Sequence, residues 1–439
     1  MFETLKQAFK VKEIRIKIYF TILLLLVYRL GCYIPVPGIG TELISQDTVS
    51  SLSYLNIMNM MTGGSLQMGT LFAMGIGPYI NSSIIIQLLS VAIPSLERLS
   101  KQGEEGRKKI SQYTRYLTIL LAIIQAVGIL LSYDVNLVAS DNATPLSTML
   151  FGQKWLAYIV VIIFFTAGTV VTMWIGERIT DYGISNGISL LIFAGIISTA
   201  GQTFITLISN ISDSTSSLNN FWKLVLMVVA IIVVFVCIVT VDLAERKIPV
   251  QYAKQIRGQK MYGGQSTVIP IKVNANGVLP LIFAFSIISF PELIMTLFGW
   301  SGSEFGIWWA KYMGSSSWVY MVVLSLLIIF FAYFYTSIQF NPDDISKSIQ
   351  QNGGFIMGIR PGKPTAQYLK KISGRITLFG AIFLAVIALV PSLIFKAIDP
   401  SSYSAFTATG MLIVVSVAIE FNTALQSQIM MKNYKGFLK

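Results

Sequence analysis

The sequence has no histidine in 439 residues, which removes the commonest general base and the commonest metal ligand. Cysteine is almost absent as well. Cys32 and Cys237 lie far apart, each in an apolar stretch. Both read as small packing residues, with no disulfide framework or metal set between them. Charge is scarce: 12% of residues are Asp, Glu, Lys or Arg, against about 25% in a soluble domain. Such a chain meets lipid rather than water. There is no Gly-rich phosphate loop ending in Lys-Ser or Lys-Thr, so energy for any work must come from a partner. No mid-span Asp pair offers an intramembrane catalytic dyad, and no cofactor is indicated.

What the sequence does have is apolar length. Residues of hydrophobic type make up 54% of the chain. A membrane helix needs about 20 mostly apolar residues, and ten segments come near that. They cover 18–34, 71–93, 116–133, 156–175, 188–208, 224–241, 278–298, 318–338, 376–395 and 405–419. The first is short and carries Arg29, which can snorkel towards the nearer interface. The tenth can run on through Glu420 into an amphipathic tail. The predicted class is an all-α membrane protein.

Ten spans put both termini on one side, and charge indicates which. Of the 32 Lys and Arg residues, 27 fall in the N-terminal arm, the four even-numbered connections and the tail. Under the positive-inside rule those parts face the cytoplasm. Trp155, Trp222, Trp300, Trp308, Trp309 and Trp318 mark the opposite helix ends, where an indole can bridge the apolar and wet zones. The net charge of +12 therefore belongs mainly to topology and not to nucleic acid. The arm 1–17 is basic and amphipathic, and the apolar run after it leads into Ile34-Pro35-Val36-Pro37-Gly38. That is not a small-residue cleavage site, so the first span reads as retained.

Five spans and five spans make halves of opposite orientation, since five is odd. The second span of each half carries Gly and Pro: Gly75-Ile76-Gly77-Pro78 in one, and Gly277-Val278-Leu279-Pro280 with Pro291 in the other. Paired interruptions of this kind point to a site between inverted halves, although Gly and Pro are also simply tolerated in membrane helices. Ahead of the second span, residues 61–70 are Gly-rich, uncharged and too short to cross. They suit either an outer loop or a re-entrant segment buried within protein.

Within the ten spans only Arg29 and Glu292 are ionisable, and both lie nearer a helix end than the middle. Ion- and proton-coupled transporters usually keep such groups at depth. Isoleucine is there instead: Ile76 with Ile80, and Ile188 with Ile192, sit four residues apart and share a helix face. Such side chains can form a hydrophobic constriction, although most isoleucines in membrane helices face lipid or a neighbour. Two connections, 242–277 and 341–375, exceed the length that joining two helices requires. The first includes the strand-like run Ser266–Ile271, and the second has Gly358-Ile359-Arg360-Pro361-Gly362-Lys363. Both read as docking platforms in preference to passive loops.

The stretches that include these residues resemble the SecY/Sec61 family of protein-conducting channels, in its bacterial form. The resemblance rests on Arg29-Leu30-Gly31, Ile34-Pro35-Val36-Pro37-Gly38, Gly63-Gly64-Ser65-Leu66 and Gly75-Ile76-Gly77-Pro78-Tyr79-Ile80. It continues through residues 106–116, Asn186-Gly187-Ile188-Ser189, Gln265-Ser266-Thr267, Phe340-Asn341-Pro342 and the Arg360 turn, in family order.

The resemblance implies two inverted five-helix halves around a central pore: an arm at 1–17, a half at 18–208, a hinge at 209–223, a half at 224–425 and a tail at 426–439. It implies a pore ring of Ile76, Ile80, Ile188, Ile192, Ile282 and Ile413, and a plug over about 61–74 that includes Gly63, Gly64, Ser65 and Leu66. A lateral gate would be lined by Asn81, Ser83, Gln87, Gln125 and Phe290. Motor or ribosome docking would use Arg246, Lys247, Lys254, Arg257, Arg360 and Lys363. The implied partners are SecE, SecG, the SecA motor ATPase, the ribosome, signal peptides, unfolded preproteins and membrane lipids. The implied role is passive conduction across the cell membrane, with release of hydrophobic segments sideways into lipid and no enzymatic activity.

Overall fold

A computed structural model describes residues 2–36, 53–138, 154–212, 217–252, 255–257, 260–262, 266–274, 277–298, 300, 303–314, 317–398 and 408–436. The amphipathic arm forms helix α1, Phe2–Lys10, and the first span forms α2, Lys12–Gly31. A short helix α3, Ser53–Thr62, precedes the second span, α4, Gly77–Ala92. The rest of the first half is α5, Pro94–Lys101, α6, Glu104–Val138, α7, Lys154–Tyr182, and α8, Gly187–Ser212. Then come α9, Ser217–Asp242, α10, Leu279–Leu297, α11, Glu304–Met313, and α12, Trp318–Gln339. The chain continues with α13, Pro342–Gln351, α14, Lys363–Ile398, and α15, Ala408–Gly436.

Each predicted span falls on one of these helices: α2, α4, α6, α7, α8, α9, α10, α12, α14 and α15. Among the described residues six helices are long and apolar enough to cross a bilayer, namely α6, α7, α9, α12, α14 and α15. The other four fall short for visible reasons. The first turns of α2 carry Lys12, Glu13, Arg15 and Lys17, while α4 has only 16 residues and bends by 107° into α5 at Pro94. The apolar parts of α8 and α10 are also short, Gly187–Gln202 and Leu279–Glu292.

The Gly-Pro features prove to be helix starts. Pro78 sits in the first turn of α4, and Pro280 is the second residue of α10, positions where a missing N–H costs little. The predicted span at 71–93 is therefore helical only from Gly77, and residues 63–76 are irregular. Pro291 is accommodated inside α10 without ending it.

One continuous apolar core joins every span except α6, with Tyr28, Ile84, Ile175, Leu191, Ile238, Leu281, Phe331, Leu384 and Leu412 among its buried members. A second cluster packs Leu66, Ala73 and Met74 against Ala122 and Ala126 of α6 and Phe165 of α7. A third holds Ala8 of α1 and Ile14 and Ile18 of α2 with Leu425 and Ile429 of α15, so the two ends of the chain meet on one face. Cys32 is buried in the core as expected, whereas Cys237 is exposed on α9 and is not a packing residue.

On the basic face the two long connections fold together. Strand β1, Glu245–Tyr252, pairs antiparallel with β4, Ser266–Lys272, and with β5, Gly354–Ile356, in the order β4-β1-β5. The registers are Ile248 opposite Ile269 and Val250 opposite Ile356. A hairpin of β2, Gln255–Arg257, and β3, Lys260–Tyr262, lies between β1 and β4 in sequence. Ile248, Val250, Ile271, Ile349, Ile356 and Leu369 form a small core beneath the sheet. The platform is thus a single folded unit built from both connections.

Candidate functional site

The six isoleucines of the expected ring all belong to, or pack against, the main apolar core. Ile76, Ile80, Ile192 and Ile413 are buried in the main core, and Ile188 and Ile282 are half-buried against it. Ile80 of α4, Ile282 of α10 and Ile413 of α15 line one cavity of about 60 Å³. Ile76 and Ile192 line a second of about 10 Å³. Met58, Met61 and Gly77 border both, so α3 lies directly against the waist. The larger void is lined further by Met60, Asn81, Phe285, Ser286 and Ser289, and none of its lining side chains titrates. At about 10–15 Å³ for each water centre, it has room for a few waters and not for a polypeptide. Ile188 lines neither cavity; it packs beside Gly176 of α7.

The segment lying against these cavities begins earlier than the expected plug. Residues 61–74 are the expected plug, but the helix lying against the isoleucines is α3, and only Met61 and Thr62 belong to both. Residues 63–76 form the return. Gly63 and Gly64 have φ of +71° and +88°, which L side chains rarely adopt, so they turn the chain where α3 ends. The Ser65 hydroxyl donates to Thr62 O at 2.9 Å, the Gln67 amide donates to Asn59 Oδ1 at 3.0 Å, and Leu66 is fully buried. Further along, Thr172 Oγ1 of α7 donates to Gly75 O at 3.0 Å, and Leu71 N donates to Ile34 O at 2.8 Å. This irregular backbone is buried within protein and hydrogen-bonded, which is the re-entrant alternative.

Two close approaches fix α3. A Cβ on Gly195 of α8 would run into the Met61 carbonyl oxygen, and one on Gly63 would run into Arg29 Nη1. Arg29 therefore does not snorkel outward. It turns inward, donates from Nη2 to Ser198 Oγ of α8, and its Nη1 is buried without a hydrogen-bond partner among the described residues. Thr199 Oγ1 adds a bond to Met60 O at 3.3 Å.

The seam between α4 and α6 on one side and α10 and α12 on the other is closed, with α10 packed on both α4 and α6. Gln87 accepts a hydrogen bond from the Tyr335 hydroxyl of α12 at 3.1 Å, which ties the two sides together. The other expected gate residues scatter. Asn81 borders the waist cavity, Ser83 is half-buried, and Gln125 is buried with Oε1 unpartnered. Phe290 is 44% exposed. Tyr335, Ser286, Ser289, Met58 and Met60 were not singled out in the sequence. The only available signal was the pairing of a Tyr and two Ser with otherwise apolar helices.

The family model for SecY matches residues 70–422. The chain belongs to the SecY family. It is 41% identical over 448 residues to the protein translocase subunit SecY of Corynebacterium glutamicum, covering 99% of both chains. It is 40% identical to the subunit of the same name from Halalkalibacterium halodurans, covering all of both. Among solved structures it is similar to a protein-conducting channel, with a TM-score of 0.65 at 20% identity over 94% of this chain and 91% of that one. Sec61 from a canine ribosome-channel complex gives a TM-score of 0.64 at 19% identity, again over 94% and 91%. As a SecY-family chain it is a channel subunit built from two inverted halves, and not an enzyme.

The SecY-family basic face presents a defined tip. Gly358 and Gly362 have φ of +79° and +96°, and Ile359 between them packs on the sheet core. Thr365 Oγ1 donates to Arg360 O at 2.8 Å and Ser346 Oγ to Gly362 O at 2.7 Å, so the turn is held and the Arg360 side chain projects outward, exposed. Arg246 and Lys247 are exposed on β1, and Lys247 lies 3.2 Å from Glu245. Lys363, at the start of α14, is exposed; Arg257 lies on β2. Lys254 falls outside the described residues.

Proposed function

We propose that this SecY-family chain is the central pore of a Sec protein translocase, conducting unfolded secretory proteins and releasing hydrophobic segments sideways into lipid. The observation that carries the reading is the seating of Met58 and Met61 among isoleucines in a waist with no titratable lining at its larger void. A ring of aliphatic side chains excludes ions when closed, because an ion crossing it would lose its hydration with nothing in exchange. The same ring deforms around a passing chain without gripping it by charge or hydrogen bonds. Ile76, Ile80, Ile188, Ile192, Ile282 and Ile413 are that gasket. The segment from α3 through Gly63, Gly64, Ser65 and Leu66 is the plug.

A signal segment entering the seam competes with the Tyr335–Gln87 bond and with the α10 contacts, and the plug then leaves the waist. Residues 18–208 and 224–425 move as halves about the hinge 209–223. The excess of basic residues on one face supports an orientation with both termini in the cytoplasm of a cell whose plasma membrane holds the chain. The Arg360 tip and the basic β1 edge dock SecA or the ribosome, and SecE and SecG are the small membrane partners.

A small-solute transporter, which shares inverted halves, requires a solvated polar site at mid-depth. The larger waist cavity has Asn81, Ser286 and Ser289 as its only polar lining. Reconstitution decides between the two. The chain with its small subunits should move a presecretory protein into vesicles when a motor ATPase is supplied. Uptake of a small solute without any protein movement would reject the channel reading.

A further inference from the structure

A third cavity, of about 570 Å³, lies between α12, α13 and the start of α14, away from the waist. Its walls are two helix faces. On α14 they carry Lys363, Lys370, Ser373, Gly374 and Thr377, spaced i, i+7, i+10, i+11 and i+14, which keeps them on one side of the helix. On α12 the facing residues are Tyr333, Thr336 and Ser337. The small side chains leave the space open: a Cβ built on Gly374 meets nothing within 4 Å. The inner end is closed by the Tyr333 hydroxyl donating to Gly374 O at 3.2 Å and by Thr377 and Thr336 at 3.4 Å. Ser373 is 6% exposed and borders the cavity.

Depth and charge identify the ligand. The apolar runs of the eighth and ninth spans end at Ile338 and begin at Ile376, so the cavity crosses the level at which lipid headgroups lie. From Lys363 to Thr377 along α14 is about 21 Å at 1.5 Å per residue, which reaches from water into the edge of the hydrocarbon. Phe330, Leu378 and Phe379 are exposed on the adjoining surface, where acyl chains would lie. Lys363 and Lys370 form no ion pair among the described residues, and the one carboxylate in the lining, Asp343, leaves a net positive charge. We propose that this cavity binds the headgroup of one anionic phospholipid, with the phosphate between Lys370 and the Ser373 hydroxyl. The bound lipid braces α13 and the Arg360 turn against the membrane.

The test uses the full chain, with any subunits that stay attached, loaded from vesicles holding equal phosphatidylglycerol and phosphatidylcholine, and native mass spectrometry to count retained lipids. Wild type should keep one phosphatidylglycerol in preference to phosphatidylcholine. Lys370→Gln should lower that preference about fivefold, the worth of one Lys beside an anionic headgroup. Gly374→Leu fills the cavity without changing charge, suits a helix interior better than Gly, and should abolish the tight lipid while the chain stays folded. Lys363 is kept intact because the proposed docking surface includes it. Equal retention of the two lipids, or unchanged retention in both variants, overturns the proposal. Displacement of the lipid by soluble glycerol phosphate also overturns it, since the site would then be one for free phosphate.

Discussion

Gly195→Ala is the sharpest perturbation of the closed waist. The new methyl group would collide with the Met61 carbonyl oxygen, and both sides of that contact are anchored to backbone, so no side-chain rotation relieves it. Overpacking of this kind costs about 1–3 kcal/mol. The clash exists only while α3 is seated on α8, so the cost falls on the closed state. At about 1.4 kcal/mol per decade, the closed-to-open ratio should fall roughly 5- to 150-fold. Alanine also gains about 0.8–1 kcal/mol of helix propensity over glycine, in either state. Gly201→Ala on the same helix controls for that gain, because a Cβ there meets nothing within 4 Å. Anion leak from proteoliposomes reads the ratio directly while the open fraction is small. Leak should rise by this factor in Gly195→Ala and stay at the wild-type level in Gly201→Ala. Equal leak in both variants would refute the seating of α3 as the seal.

Three more outcomes follow from the same geometry. Ile282→Asn and Ile413→Asn place an amide at the waist cavity, and each should raise ion leak and allow export of proteins with weakened signal segments. Tyr335→Phe removes the bond to Gln87, worth about 0.5–1.5 kcal/mol. The gate should then open roughly 2- to 12-fold more readily, measured as crosslinking of a signal peptide at the seam. Arg360→Glu reverses the charge on an exposed tip whose backbone bonds come from Thr365 and Ser346. Thermal stability should be kept while motor-driven export in a reconstituted assay falls at least about tenfold, as expected for losing a charged interface contact.

The sequence made the helices legible because apolar length and the scarcity of charge leave few alternatives, and each of the ten predicted spans overlaps a helix. It also indicated strand over 266–271, where Thr267, Val268, Ile269 and Ile271 are β-branched. The assembly of β5 onto β1 was hidden, since the strands come from connections about 100 residues apart and carry no pairing signal in one sequence. The Gly-Pro pairs stood out by composition, but a helix start and a kink require the same residues, and only the backbone distinguishes them. Five of the six isoleucines line the two small cavities of the core, yet their spacing alone covers only the pairs within one helix. α3 was missed for a related reason: an apolar run of ten residues with two Asn looks like loop until it meets the waist. Arg29 was misjudged because a cation near a helix end usually reaches water. Here Gly63 and Ser198 leave it a half-buried place between helices instead.

Passage of a translocating chain through an aliphatic waist between the halves can be read by arresting an export substrate in the reconstituted channel and crosslinking it to single cysteines. The cysteines replace Ile76, Ile80, Ile188, Ile192, Ile282 and Ile413 in turn, in a background without Cys32 and Cys237. Crosslinks should form from both halves to one short stretch of substrate, and none from an exposed position such as Val229 on α9. Crosslinks confined to one half, or equally strong at Val229, would contradict passage through the waist.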